Sequence, residues 1–223
     1  MTHDPTEELD AVAAALAHDL RAPLRAIDGF SRILLSEERN AELPEDTRRY
    51  LALVRDAGTE LAELLDDLVD IVRIGRRTPA VEEDVDVGQL SRELIEAVLA
   101  PRAQGVAWTI DDALPPCRAD PALLRRLLEE LLDNAVKFGA GHVEVGWDAD
   151  ASAYVVADDG IGVLGELPAQ AYEIFGRLHA RDAYPGTGAG LAIACRIAAL
   201  HGGRLWVAGR DGGGACARFT VGR

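Results

Sequence analysis

The sequence is short of positive charge and of long apolar runs. It contains 23 Lys and Arg against 38 Asp and Glu, which gives a formal net charge of −15. Nucleic-acid backbones and anionic lipid surfaces attract cationic proteins, so this balance argues against both as partners. No apolar run approaches the roughly 20 residues that span a bilayer, so we expect no membrane contact. Residues Met1–Pro5 lack the basic flank and apolar core of a targeting segment.

Cysteine and lysine are also scarce. The three cysteines, Cys117, Cys195 and Cys216, are odd in number and widely spaced, which is untypical of a disulfide framework or a zinc site. They indicate a reducing compartment, and we expect a cytoplasmic location. Lys137 is the sole lysine among the 23 basic residues.

Residues 1–77 carry the periodicity of two long helices. In the second helix, apolar residues recur at alternating steps of four and three, as in a heptad seam; they are Tyr50, Val54, Ala57, Leu61, Leu64, Leu68 and Ile71. A similar stripe runs from Leu9 to Leu34. Because a lone hairpin leaves part of each apolar face exposed, we expect a homodimer that forms a four-helix bundle. The alternative is that the hairpin packs on the C-terminal part of its own chain.

Strand-like and helix-like segments alternate in the rest of the chain. Gly75–Pro79 breaks the helical pattern and predicts a linker, so we expect a helical hairpin over 1–77 and a second domain over 78–223. A short strand is predicted at Val85–Val87, and the strongest helix at Pro121–Phe138. Helices on one face of a mixed sheet give an α+β sandwich, and the predicted fold class of the chain is α+β.

A histidine followed by a carboxylate lies in the first predicted helix. Asp19 can orient the imidazole of His18 and raise the nucleophilicity of its free nitrogen. Pro23 removes a helical N–H and predicts a kink just after the histidine. By itself, the dipeptide is also typical of an ordinary helix surface.

Four polar residues share the helix Pro121–Phe138. Glu130 and Asn134 are four residues apart, as are Asp133 and Lys137, so each pair shares a side of the helix. Oxygen ligands at this spacing can hold Mg²⁺ together with nucleotide phosphates, and Lys137 can add positive charge. The plainer interpretation is a surface ion pair between Asp133 and Lys137.

Two glycine-rich segments have the composition of a nucleotide pocket. Asp158 ends a predicted strand and can accept a hydrogen bond from an exocyclic amine, while Gly160 and Gly162 let the backbone approach a flat ring; a plain turn is the alternative. Gly186–Leu191 alternates glycine and runs into a helix, which makes an anion cradle for phosphates. It is not a P-loop, and it does not follow a strand directly as a dinucleotide fingerprint does.

In this order, the four motifs resemble the catalytic core of bacterial sensor histidine kinases over essentially the whole chain. Leu16–Leu24 resembles the family's H-box, Glu130–Phe138 its N-box, and Asp158–Gly162 and Gly186–Leu191 its two glycine boxes. Tyr172–His179 resembles the phenylalanine-box segment of the ATP lid, and Arg177–Gly188 is most similar to kinases attached to phytochrome-type and other soluble sensors.

The resemblance implies a role for each candidate residue. ATP and Mg²⁺ would be bound, His18 would accept the γ-phosphoryl group, and Asp19 would be its acid–base partner. Asn134 would ligate Mg²⁺, Lys137 and Arg177 would contact phosphates, and Asp158 would hold the adenine amine. The remaining pocket residues would be Phe138, Gly160, Gly162, Gly186, Gly188, Gly190 and Leu191, with Thr220 in a water-mediated adenine contact. Hinge motion at the linker would bring the histidine to the nucleotide.

Two residues depart from the family pattern. Glu130 stands where most members carry Asn, and where related gyrase, chaperone and mismatch-repair ATPases carry a Glu that activates water. It is therefore either a Mg²⁺ ligand or a base. Ala22 lies four residues after His18, where members that also dephosphorylate their partner carry Thr or Asn. Since Ala has no hydrogen-bonding group, we predict weak phosphatase activity.

The function implied is that of an autophosphorylating protein-histidine kinase of a two-component system. Phosphate would pass from His18 to an aspartate on a response-regulator receiver domain, which would dock near Arg21, Arg25 and Arg32. A sensor domain or sensor protein outside this chain is also implied. Two alternatives stay open: a gyrase- or chaperone-type ATPase with Glu130 as base, and a degenerate dimeric scaffold without catalysis.

Overall fold

The computed structural model describes residues 5–36, 43–99, 103–176, 184 and 186–222. For residues 5–14, Leu16, His18 and Glu83 it describes the backbone alone. The chain divides into two compact units, Met1–Arg73 and Ile74–Arg223. None of the helices within the described ranges is long and apolar enough to cross a membrane.

The first unit is built from two long antiparallel helices, α1 (Pro5–Leu34) and α2 (Glu45–Arg76). Their inner faces meet in an apolar cluster formed by Ala17, Leu24, Leu65 and Val69. Pro23 lies inside α1, and the helix continues beyond it to Leu34. The two predicted long helices are therefore present, and small and branched apolar residues join them.

The heptad stripe of α2 lies outside this cluster. The side chains of Tyr50, Val54 and Leu61 are 66%, 49% and 44% exposed, whereas Leu65 and Val69 are buried. Among the side chains of α1 that the structure describes, the exposed large apolar residues are Leu20, Ile27, Phe30, Ile33 and Leu34. The hairpin core is thus formed by residues next to the predicted seam. The seam is exposed from Tyr50 to Leu61, and its later members, Leu64, Leu68 and Ile71, are partly buried.

The second unit contains a five-stranded mixed sheet in the order β2-β4-β5-β7-β6. Its strands are β2 (Ala107–Ile110), β4 (His142–Asp148), β5 (Ala153–Asp158), β6 (Leu205–Gly209) and β7 (Ala215–Phe219). β2 pairs with β4 in parallel, and the other neighbouring pairs are antiparallel. The predicted α+β class with a mixed sheet is confirmed.

A two-stranded sheet of β1 (Glu82–Val85) and β3 (Cys117–Ala119) accompanies the larger one. The predicted strand Val85–Val87 is misplaced, because Asp86 caps the helix α3 (Val87–Leu94) through a hydrogen bond from the Gln89 N–H. One π-helical turn, Ile95–Leu99, continues α3.

Helices α4 (Pro121–Lys137) and α5 (Gly190–Leu200) pack against each other and place the polar motifs. One side of α4 is buried by Leu123, Leu124, Leu127, Leu128, Leu131, Leu132 and Ala135. Each fully buried Leu contributes about 2 kcal/mol to folding, so this apolar side fixes the rotation of the helix. The polar residues of the predicted N-box are carried on the remaining surface of α4.

Asp120, the N-cap of α4, also forms hydrogen bonds with residues in and next to the predicted linker Gly75–Pro79. Its buried carboxylate accepts hydrogen bonds from the Arg77 guanidinium at 2.8 Å and from the Ala80 N–H at 2.9 Å. Its own N–H donates to Nε2 of His201 at 2.9 Å. Burial by itself raises the pKa of Asp120, but the hydrogen bonds from Ala80 and from the N–H groups of α4, together with the charge of Arg77, outweigh it and lower the pKa. Arg77 and Ala80 are therefore anchored within the second unit.

Candidate functional site

Glu130 and Asn134 lie on α4 opposite the first residue of α5, Gly190. A Cβ atom on Gly190 would lie 2.3 Å from Oε2 of Glu130 and 3.9 Å from Nδ2 of Asn134. The other carboxylate oxygen of Glu130, Oε1, forms an ion pair with Nη2 of Arg126 at 2.6 Å. The Glu130 carboxylate is thus held between an arginine and the start of α5, in space that any side chain at position 190 would need.

Lys137 lies beside the second glycine segment. Its Nζ atom is 2.8 Å from the place that a Cβ of Gly186 would occupy. The same Nζ lies 5.2 Å from the centroid of the Phe138 ring, and that ring lies 5.2 Å from the ring of Tyr184. A cation, two aromatic rings and a glycine backbone therefore meet where α4 ends.

Asp158, the last residue of β5, presents one carboxylate oxygen that is fixed and one that is available. Oδ1 accepts hydrogen bonds from the N–H groups of Gly160 at 2.9 Å and Ala215 at 3.3 Å. Oδ2 receives no hydrogen bond from the residues that the structure describes. Burial raises the pKa of Asp158 above the ordinary carboxyl value, although the two N–H groups oppose the shift. A buried acceptor with one oxygen fixed is suited to a directional bond from an amine.

Backbone packing around Asp158 requires glycine. Gly162 has φ of +69° and Gly214 has φ of +88°, a conformation that side chains disfavour. A Cβ on Gly162 would lie 2.5 Å from the Gly214 carbonyl oxygen, and one on Gly214 would lie 1.9 Å from the Asp158 carbonyl oxygen. A Cβ on Gly160 would lie 2.6 Å from the carbonyl oxygen of Phe138. The first glycine segment thereby joins the ends of α4 and β5 to the loop before β7.

Asp159 has a structural role despite its position next to Asp158. Its Oδ1 accepts the N–H groups of Gly141 at 2.7 Å and His142 at 2.8 Å. The bond from His142 is the largest influence on the pKa of Asp159, and the net effect of its surroundings is to lower that pKa. The pKa values of the two adjacent carboxyl groups therefore shift in opposite directions, and the raised one belongs to Asp158, which is buried.

Thr220 does not join this group of residues. Thr220 follows the C-terminal end of β7, whereas Ala215, which bonds to Asp158, begins that strand. The five residue steps from Ala215 to Thr220 span roughly 17 Å of extended chain. Its Oγ1 accepts the Arg204 N–H at 3.0 Å. It also lines a separate cleft with Cys117 and Tyr154. The geometry does not support the predicted adenine contact of Thr220, because the residue lies at the wrong end of the strand.

Two predicted roles fall outside what the structure describes. Arg177 lies outside the described residues. The backbone of His18 lies within α1, but its side chain is also outside them. Asp19 is exposed on the same helix, and Gly188 and Leu191 flank the first residue of α5.

A divalent cation fits this site only together with a nucleotide. Within the described part of the chain, no group of three or more His, Cys, Asp or Glu residues could hold a metal ion. Mg²⁺ is usually held by one or two protein oxygens, with phosphates and water completing its octahedron. Glu130 Oε2 and the Asn134 amide, both beside Gly190, form such a partial set.

Three residues of this site were not predicted from the sequence. Arg126 precedes Glu130 by one helical turn, and this spacing could have indicated the ion pair. Gly214 and Tyr184 become neighbours of Asp158 and Phe138 only through the fold, and no local pattern indicates those contacts.

The arginine face predicted for receiver docking is partly neutralised. Arg21 forms an ion pair with Asp66 at 2.7 Å, and Arg32 forms one with Asp28 at 3.0 Å. Nε of Arg25 donates to the Arg21 carbonyl at 3.3 Å. This surface is less positive than the sequence alone indicates.

Comparison with protein families gives two matches along the chain. Residues 8–77 match the family described as the His Kinase A (phospho-acceptor) domain. Residues 119–223 match the family described as Histidine kinase-, DNA gyrase B-, and HSP90-like ATPase.

Relatives and solved structures agree with these matches. The methanogenesis regulatory histidine kinase FilI of Methanothrix harundinacea is 32% identical over 96% of this chain and 24% of its own length. Cyanobacterial phytochrome A of a Nostoc species is 31% identical over 96% of this chain and 28% of its own length. The crystal structure of full-length ShkA in complex with AMPPNP is 31% identical with a TM-score of 0.65, over 95% of this chain and 45% of that one. The chain thus spans less than a third of these two curated relatives.

Proposed function

Because this chain belongs to the histidine kinase family, we propose that it is the ATP-dependent, autophosphorylating core of a two-component signalling system. The predicted family and fold class are confirmed, and the roles of single residues are part of the proposal. The observation that carries it is the convergence of Asp158, Lys137, Glu130 and Asn134 around the two glycine segments. We place the boundary between the phosphoacceptor hairpin and the ATP-binding domain after residue 77.

The adenine ring is recognised by Asp158. Its fixed Oδ1 holds the carboxylate in place, and Oδ2 accepts a hydrogen bond from the exocyclic amine. Gly160 and Gly162 let the backbone at Phe138 and Gly214 approach closely next to this carboxylate. A base without an amine at that position would leave the buried Oδ2 without a partner, which costs free energy.

The phosphates are held where α4 meets α5. Lys137 supplies positive charge beside Gly186, and the N-terminus of α5 contributes its partial positive charge. Glu130 and Asn134 supply the protein oxygens for Mg²⁺, whose chemical contribution when bound is to neutralise phosphate charge. The predicted contact between Arg177 and the γ-phosphate remains part of the proposal.

His18 is the phosphoacceptor in this proposal. A ring nitrogen of His18 forms a bond to the γ-phosphorus while the bond from that phosphorus to the bridging oxygen of ADP breaks. Asp19 takes the proton that the imidazole loses. The phosphoryl group then passes to a carboxylate oxygen of an aspartate on a receiver domain, and His18 is regenerated.

The assembly is proposed to be a homodimer that works in the cytoplasm, where ATP is available. Exposed large apolar residues on α1 and α2 support the dimer, among them Phe30, Tyr50 and Leu53, whose side chains are 66%, 66% and 56% exposed. A sensor and a receiver domain on other segments or chains complete the system. Phosphatase activity toward the receiver is weak, because Ala22 cannot orient a water molecule.

Radiolabel transfer from γ-labelled ATP tests this proposal. The wild type should acquire a label that is labile in acid and stable in base, and His18→Gln should acquire none. His142→Gln is the matched control, because Nε2 of His142 forms a hydrogen bond with Thr109 Oγ1, away from the candidate site, and this variant should be labelled like the wild type. ATP hydrolysis without protein label would favour a gyrase-type ATPase, and absence of nucleotide binding would favour a scaffold.

A further inference from the structure

The two edges of the five-stranded sheet differ in what covers them. Beside the edge strand β6, the Leu167 N–H donates to the Val207 carbonyl at 3.0 Å. Between the same two segments, the Gly209 N–H donates to the Gly165 carbonyl at 2.8 Å. At the opposite edge of the sheet, β2 pairs with β4 alone among the residues that the structure describes. Backbone hydrogen bonds therefore close the outer side of β6, whereas the described part of the chain supplies no such segment to the outer side of β2.

The register of β2 shows which of its backbone groups face outwards. The Asp111 N–H donates to the Val145 carbonyl of β4 at 2.9 Å, and every second residue before Asp111 has the same orientation. The N–H and C=O groups of Trp108 and Ile110 therefore point away from β4. None of these four groups forms a hydrogen bond with the described residues. An extended peptide beside β2 would find two donors and two acceptors in the spacing of a sheet ladder.

The side chains of β2 leave this edge accessible and indicate what fits beside it. Ala107 and Thr109 are exposed, and Trp108 and Ile110 are half-buried. Side chains in directly opposed positions of two strands contact each other, and β-branched residues opposite aromatic or β-branched ones stabilise the pair. The edge therefore favours an extended segment with β-branched residues opposite Trp108, Thr109 and Ile110.

Charge indicates which kind of segment binds. Asp111 and Asp112 directly follow β2, both are exposed, and neither forms an ion pair with the described residues. The whole chain carries a formal net charge of −15, so a second copy of it is repelled at long range. A basic segment is attracted by this net charge and gains two carboxylate partners where β2 ends.

We propose that the outer edge of β2 is a docking site for an extended, basic peptide segment of a partner protein. The segment adds a strand antiparallel to β2, bonds to the backbone of Trp108 and Ile110, and places its basic residues beside Asp111 and Asp112. Backbone hydrogen bonds supply the affinity, and the two carboxylates supply the preference for a basic sequence. The inference goes beyond the proposed function and does not rest on it, since β2 carries none of the residues assigned to ATP.

Fluorescence anisotropy with a designed peptide, Arg-Lys-Val-Thr-Val-Thr carrying fluorescein at its carboxyl end, tests the inference on the whole chain. In the antiparallel register, its two valines lie opposite Ile110 and Trp108, and its basic residues lie opposite Asp112 and Asp111. The Kd should be below about 1 mM. The same peptide with both valines N-methylated should bind about fivefold more weakly or worse, because it lacks the two N–H groups that donate to β2.

Amide hydrogen exchange, followed by NMR, locates the peptide on the chain. In the free protein, the N–H groups of Trp108 and Ile110 should exchange faster than that of Thr109, which faces β4. The peptide should slow exchange at Trp108 and Ile110 and leave Thr109 nearly unchanged.

The double variant Asp111→Asn/Asp112→Asn tests the role of charge. It should weaken peptide binding about threefold or more at low salt and should reduce the salt dependence of binding. Glu45→Gln/Asp46→Asn is the matched control, because it removes the same charge from another exposed acidic pair, at the start of α2. This control should change binding less than about twofold. Both pairs of side chains are exposed, so the melting temperatures of both variants should stay close to that of the wild type.

Four outcomes would overturn the inference. They are absence of peptide binding, equal binding of the N-methylated peptide, equal losses in the two double variants, and exchange at Trp108 and Ile110 that the peptide leaves unchanged. Slow exchange at these two amides without peptide, increasing with protein concentration, would also overturn it and would assign the edge to a second copy of the chain. None of these results depends on ATP, so the proposed function is tested separately by the radiolabel experiment.

Discussion

At the scale of single residues, Asp158 controls recognition of the base through its ionisation. Burial raises its pKa, so its carboxyl keeps a proton at a pH where an ordinary Asp, with a pKa of about 4, is ionised. We predict that ADP affinity falls as the pH is lowered from 7.5 to about 4, where a carboxyl with a raised pKa is mostly protonated, because the protonated carboxyl loses acceptor strength. Titration calorimetry measures this, and Asp158→Asn should bind weakly with no such dependence. Equal affinity of the wild type across this range would contradict the assignment.

Gly214 is a position where the cost of a steric clash can be measured separately from the cost of a positive φ angle. Gly212 and Gly214 both have positive φ, +95° and +88°, but only at Gly214 does a Cβ meet other atoms, the nearest being the Asp158 carbonyl oxygen. We predict that Gly214→Ala lowers the free energy of unfolding by about 2 kcal/mol more than Gly212→Ala, and also abolishes nucleotide binding. Urea denaturation measures the difference. Equal destabilisation by the two variants would show that the contact does not matter.

At the scale of secondary-structure elements, the cap of α4 links three segments of the second unit. The Asp120 carboxylate binds the first turn of α4, the Ala80 N–H and the Arg77 guanidinium. We predict that Asp120→Ala lowers the free energy of unfolding by about 2 kcal/mol at pH 7. Asp86→Ala, at the cap of α3 with a single hydrogen bond from Gln89, should cost about 1 kcal/mol.

Acid denaturation tests whether the Asp120 carboxylate stabilises the folded protein. The pKa of Asp120 is lower in the folded protein than in the unfolded chain. Its carboxylate therefore stabilises the fold at any pH above its pKa in the unfolded chain, and this stabilisation is lost as the pH falls through its pKa in the folded protein. The wild type should therefore lose more stability than Asp120→Ala between pH 5 and about pH 2. Parallel losses in the two proteins would show that the carboxylate contributes nothing.

The sequence allowed the elements with strong local signals to be predicted. Helix α4 follows from its leucine periodicity and from the Asp120–Pro121 start, and its polar residues follow with it. The first strand was misplaced because the sequence is compatible with Asp86 either in a strand or as a helix cap. The pairing of Glu82 with Ala119 shows that the strand lies before Asp86. The resemblance implied a water-mediated adenine contact for Thr220 on the last strand, whereas the antiparallel register puts this residue at the end of the strand far from Asp158.

At the scale of the whole molecule, the exposed large apolar residues of the hairpin predict self-association. Phe30 and Leu53 are 66% and 56% exposed, although both are apolar and lie on long helices. We predict that Phe30→Glu/Leu53→Glu converts a dimer to a monomer, since burying four carboxylates in an apolar seam without partners is strongly unfavourable. Light scattering after gel filtration gives the mass. Val81→Glu, at an exposed apolar residue of the second unit, should remain dimeric.

A dimer that survives both hairpin substitutions would contradict the four-helix bundle. Circular dichroism of the same samples should retain the helical signal, because the inner cluster of Ala17, Leu24, Leu65 and Val69 is untouched.

The most direct test of the account locates the phosphate in the whole chain. Trypsin cleaves after Lys and Arg, and the first such residue is Arg21, so His18 lies in the peptide Met1–Arg21. After incubation with Mg-ATP and digestion at neutral to alkaline pH, mass spectrometry with fragmentation should find the phosphate on His18 in this peptide. Phosphate on another residue, or ATP turnover with this peptide unmodified, would contradict the assignment of the chain as a histidine kinase core that phosphorylates itself at His18.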